Sequence, residues 1–143
     1  MPENLDKVIE MFQMFDPADR TDVLLSYADQ FKEVPASIAT RPFPKSHQVP
    51  QCESDAYVWA QKLPDSTMKL YFAVENPSGI SAKALAAILD KTLSGLPASE
   101  IATVNCDIVE KIFRQNISMG KGMGLMAMVN AVQALARAAS QSR

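Results

Sequence analysis

The chain has 143 residues, 48% of them hydrophobic, enough for a single domain spanning 1–143 that removes roughly 68–70% of its unfolded surface from water. Its 14 basic and 16 acidic residues form no dense Lys/Arg run, which leaves little field for phosphate backbones or anionic lipid and argues against nucleic acid or a membrane as partner. The apolar runs are too short to span a bilayer, the start at Glu3 and Asp6 lacks a signal peptide's basic segment, and the two cysteines form neither a disulfide framework nor a CxxC pair; the expectation is a soluble, cytoplasmic protein in a reducing compartment.

Leu5, Val8, Ile9, Phe12 and Phe15 recur at helical spacing. A second helical series, Leu24, Tyr27, Ala28 and Phe31, follows Asp16-Pro17, where Asp can cap and Pro fits the first turn. This helical hairpin ends at Pro35. From Val34 to Gln51 the prolines at 35, 42, 44 and 50 indicate an extended connection over the surface. Alternation then begins: Ala56, Val58 and Ala60 point one way and Tyr57, Trp59 and Gln61 the other. After the turn Pro64-Asp65-Ser66, the set Met68, Leu70, Phe72 and Val74 alternates again. An antiparallel hairpin is expected, to which Ser46–Pro50 would add a third, edge strand.

The second half returns to helices. Leu85, Ile88 and Leu89 share a face before the stop signal at Gly95, and a short Pro97-led turn follows. Asn105 is expected to cap a helix carrying Ile108, Val109, Ile112 and Phe113. A glycine-rich loop, Gly120 to Gly124, precedes a long final helix with Leu125, Met128, Val129, Val132 and Leu135 on its apolar side. The fold class is α+β: a small antiparallel three-stranded sheet flanked by helices at both ends of the chain.

Cys52 lies at the junction of the connection and the first strand, among polar neighbours. A free thiol is commonly a buried core residue, which normally sits among apolar side chains. An exposed thiolate can instead attack a partner's sulfur, as in thiol–disulfide exchange. Glu53 and Asp55 disfavour the thiolate, whereas His47 or Lys45 would favour it. Cys106, at an expected helix start, is a second reactive candidate or a small packing residue. His47 pairs with Cys52 as a base, or is an exposed loop residue without a catalytic task. The run Gly120-Lys121-Gly122-Met123-Gly124 lacks the full phosphate-loop pattern and reads as a connector with one basic group. Methionines at 119, 123, 126 and 128 fill a core or form an adaptable contact surface.

The stretches HQVPQCESDAYVWA, LYFAVE, ISAKALAAIL and GKGMGLMAMV, in that order and spacing, resemble the SufE family from about Arg41 onward, most tellingly at VPQCES. The resemblance makes Cys52 the persulfide-carrying residue. It implies an IscU-like fold and a sulfur-transfer accessory protein, with no cofactor of its own, rather than a stand-alone enzyme. Such a protein binds a pyridoxal-phosphate (PLP)-dependent cysteine desulfurase (SufS-like), accepts its sulfur, stimulates it, and passes sulfur toward a downstream Fe–S scaffold. The alternative is a non-catalytic module that binds and stimulates the desulfurase without carrying sulfur. Lys83 and Lys121 stand at two basic positions of the family, and with Glu53 and Ser54 they are assigned to the partner-facing surface. Ala84 replaces a family glycine, and Lys121, before Gly124, replaces an arginine whose bidentate contact it cannot reproduce. One loop cysteine with a remote Cys106 and a lone His47 is a poor ligand set for a cluster scaffold.

Overall fold

The computed structural model describes residues 1–52 and 54–141. In chain order it contains helices α1 (Glu3–Gln13) and α2 (Pro17–Asp29), strands β1 (Ala56–Lys62) and β2 (Met68–Val74), then α3 (Ile80–Leu93), α4 (Ala98–Ile101), α5 (Ile108–Phe113) and α6 (Met119–Gln141). Short 3-10 turns lie at Lys45–His47 and Arg114–Asn116. The α+β class is as expected.

Leu5, Ile9 and Phe12 bury one face of α1. The Asp16 carboxylate caps α2 by accepting from the Asp19 N–H at 2.8 Å, with Pro17 in the first turn. Arg20 is buried, and its guanidinium donates to the carbonyls of Phe12 and Phe15 (3.3 and 2.8 Å) and to Asn116 Oδ1 (3.1 Å). Carbonyls left over at the end of α1 thereby find donors, and the helical hairpin is tied to the turn before α6.

The strands pair antiparallel from Ala56↔Val74 to Lys62↔Met68. Ala56, Val58, Leu70, Phe72 and Val74 enter the main core with α3, which buries almost its whole length from Ala82 to Leu89, and with Leu125, Met128, Val129 and Val132 of α6. The opposite sheet face is also covered. Val34 and Phe43 of the proline-rich connection pack on Tyr57, Trp59 and Ala73, with the Phe43 ring 5.2 Å from both aromatic rings. Arg41 fastens that cover, donating to Glu33 at 3.0 Å and standing 5.0 Å over the Phe43 ring.

Four expectations need correction. Among the described residues the sheet has two strands, not three: Gln48 makes an isolated bridge to Tyr57. Lys45–His47 forms a tight turn, and Pro50 brings no N–H to extend the pairing. Helices are not confined to the chain ends, because α3 is central and lies against the sheet. Asn105 does not cap α5; its Oδ1 accepts from the Asp107 N–H at 3.0 Å, closing a turn ahead of the helix. The glycines 120–124 are not a loop but the first turns of α6, begun by Ser118, whose carbonyl accepts from the Gly122 N–H at 2.9 Å.

In the hairpin turn, hydrogen bonds from Thr67, the hydroxyl first and then the backbone N–H (3.1 Å), hold the Asp65 carboxyl below its ordinary range. A carboxyl depressed on folding contributes stability above its unfolded pKa, and this contribution is lost as pH falls through the folded value. Thr67→Val is therefore expected to raise the Asp65 pKa toward the ordinary value, which an NMR titration of its side-chain carboxyl carbon would read; an unchanged midpoint contradicts the assignment.

Candidate functional site around Cys52

The Cys52 loop is pinned at both stems. On one side the Val49 N–H donates to the Ala56 carbonyl at 2.8 Å. On the other the N–H groups of Glu75 and Asn76 donate to the carbonyls of Asp55 and Ser54, each at 3.1 Å. Between the stems, Gln51 (φ 61°) and Asp55 (φ 51°) adopt left-handed backbone, which costs about 1–2 kcal/mol for a residue with a side chain. The turn is therefore tight rather than slack. Cys52 is a free, half-buried cysteine packed against the edge of the main core.

A cleft of about 130 Å³ opens beside the thiol, between the loop and the first turns of α3 and α6. Cys52 and Ser54 line one side, Asn76, Ser78 and Ser81 another, and Lys121 and Gly124 the third. Asn76 Oδ1 accepts from the N–H and hydroxyl of Ser78 (3.0 and 2.8 Å), which shapes the turn into α3. Both helices begin at the cleft, so their positive ends favour negative charge there, reinforced by the Lys121 ammonium. On the far side of the loop a wider, open groove runs past Lys45, Gln48 and Pro50. Ile80, Met119 and Met123, on the first turns of α3 and α6, are exposed.

The structure thus brings Cys52, Ser54 and Lys121 together. Lys83 does not line the cleft; it stands partly exposed farther along α3, and neither it nor Lys121 joins an ion pair among the described residues. Glu53 lies outside the described residues. His47 is engaged elsewhere: Nδ1 lies 2.9 Å from the Val58 carbonyl and the ring stacks 5.3 Å from Trp59, on the sheet face opposite the core that Cys52 touches. The Cys52–His47 pairing is thus disfavoured. Cys106 is half-buried against the core in the turn before α5. Among the described residues no three His, Cys, Asp or Glu side chains gather as a metal site would require, and no helix is long and apolar enough to cross a membrane.

Asn76, Ser78, Gly79 and Ser81 were missed as site residues in the sequence reading. The Asn76-Pro77-Ser78-Gly79 turn signal was available, but it announces a bend and not what the bend faces.

Residues 6–136 match the family described as SufE, Fe-S metabolism associated domain. A curated relative, SufE-like protein 1, chloroplastic/mitochondrial, of Arabidopsis thaliana is 26% identical over 135 residues; the match covers 93% of this chain and 34% of that protein, so the chain spans about a third of its relative's length. The solution structure of a hypothetical protein from Thermus thermophilus superposes with a TM-score of 0.77 at 25% identity, covering 99% of both chains. With its cysteine loop seated between the starts of two helices and the family match running nearly end to end, this chain belongs to the SufE family of Fe–S metabolism.

Proposed function

We propose that this protein is a one-domain sulfur acceptor and activator of a PLP-dependent cysteine desulfurase of the SufS-like kind, working in a reducing, cytoplasmic setting. The Cys52 thiolate attacks the outer sulfur of the persulfide on the desulfurase cysteine. That S–S bond breaks, a new one forms to Cys52, and the desulfurase cysteine leaves as thiolate, so no external oxidant or reductant is consumed. A second displacement of the same kind passes the sulfur toward an Fe–S scaffold.

The observation that carries this reading is a free cysteine at the tip of a pinned loop, beside a cleft that accommodates negative charge. The pyridoxal phosphate belongs to the partner and does the C–S bond breaking there. Lys121 and Ser54 at the cleft, with exposed Ile80, Met119 and Met123 near it, form the surface that meets the desulfurase. Lys83, farther along α3, is assigned to its periphery, and Glu53, next to Cys52 in sequence, is kept among the partner-contacting residues.

Incubation with desulfurase and cysteine should add about 32 Da per transferred sulfur, read by intact-protein mass spectrometry. Absence of any adduct with every desulfurase tried would overturn the proposal. Lys121→Glu should weaken desulfurase binding on the order of tenfold, with a stronger salt dependence in the wild type. Its melting temperature should stay put, because Lys121 is exposed and outside the ion pairs seen among the described residues. Calorimetric titration showing unchanged affinity removes Lys121 from the interface.

A further inference from the structure

Two glycines flank the cysteine loop at places where an added Cβ would crowd its neighbours and force them to shift. A Cβ added to Gly124 would stand 3.1 Å from both Cys52 Cα and the Gln51 carbonyl oxygen, backbone atoms that no rotamer change can move aside. A Cβ on Gly79 would stand 2.9 Å from Ser54 Cβ, Ser54 Oγ and Val74 Cγ1. Other glycines of α6 face no such constraint: Gly120 would meet nothing within 4 Å, and Gly122 only Ile117 Cδ1 at 3.5 Å. Glycine is a poor helix former, so its use at 124, inside α6, is explained by this close approach rather than by the helix.

We propose that Gly124 and Gly79 are positioning residues that let α6 and α3 grip the Cys52 loop from two sides. The grip offsets the left-handed backbone at Gln51 and Asp55 and holds the thiol half-buried against the core. Weakening it releases the loop and exposes Cys52, leaving the main core intact. The purpose of the device rests on the sulfur-carrier reading: a seated loop shelters the sulfur and a released one delivers it. Neither glycine touches a reacting atom, and both act through the place they give the loop.

The test is alkylation of the full chain by iodoacetamide, with peptide mass spectrometry reading Cys52 and Cys106 separately. Half-buried Cys106 is the internal monitor, because loss of the whole fold speeds both cysteines whereas loop release speeds Cys52 alone. Gly124→Ala is expected to speed Cys52 labelling at least about fivefold, the lower end of what overpacking a tight contact does to an equilibrium, with Cys106 unchanged. Gly79→Ala should act in the same direction, and Gly120→Ala should change neither cysteine. Wild-type Cys52 labelling in either variant that keeps its Cys106 rate overturns the proposal, as does a parallel rise at both cysteines in both variants. No desulfurase is present in this assay. A wild-type chain that takes up no sulfur therefore removes the carrier reading and leaves the grip standing, while unchanged labelling removes the grip and leaves the carrier.

Discussion

Cys52→Ser is expected to abolish sulfur uptake completely while leaving the fold in place. The hydroxyl keeps the size and polarity of the position, but it is not the polarisable, readily ionised nucleophile that displaces one sulfur from another. Stability should change by less than about 1 kcal/mol, since Cys52 is half-buried at the edge of the core and the stems are held by backbone hydrogen bonds that the substitution does not touch. The measurement is the roughly 32 Da increment after incubation with desulfurase and cysteine, beside a thermal melt. An increment equal to the wild type's would transfer the role to Cys106. Desulfurase stimulation that survives Cys52→Ala without sulfur uptake would instead select the module that stimulates without carrying.

Trp59→Ala should be the most damaging single change on the far side of the sheet, costing about 3–5 kcal/mol. Trp59 is 6% exposed, with its ring 5.2 Å from Phe43, 5.3 Å from His47 and 6.1 Å from Tyr57. Truncation removes the surface on which both the connection and the turn at Lys45–His47 rest. The main core should survive as such, because Val58 and Ala56 on the other face keep their contacts. Urea unfolding followed by circular dichroism gives the loss directly; a cost below about 1 kcal/mol would mean that the connection is not a stabilising cover.

These expectations draw on different amounts of sequence information. The helical hairpin was legible because Leu5, Ile9 and Phe12 repeat at the helical period and Asp16-Pro17 is a start signal with a local mechanism. The strand hairpin was equally legible from its alternation. The edge strand was overestimated, since two flanking prolines leave room for a single bridge, and Asn105 was read as a cap although its side chain closes the turn before. The glycine run was misread because three glycines in five residues ordinarily mark a loop; here one of them, Gly124, closely approaches the Cys52 backbone, and the segment is helical.

By itself, then, the sequence determined the helical hairpin, the two paired strands and most of the later helices, and that Cys52 stands just ahead of a strand, in a pattern shared with a family of Fe–S metabolism, because backbone period, capping and turn chemistry are local properties. Only the tertiary structure decided that both sheet faces are covered, that His47 is engaged away from the thiol, and that Ser54, Ser78, Lys121 and Gly124 meet around Cys52. Those groups come from separate elements, and what brings them together is burial of one core and the approach of two helices to a loop at a distance that an absent Cβ permits.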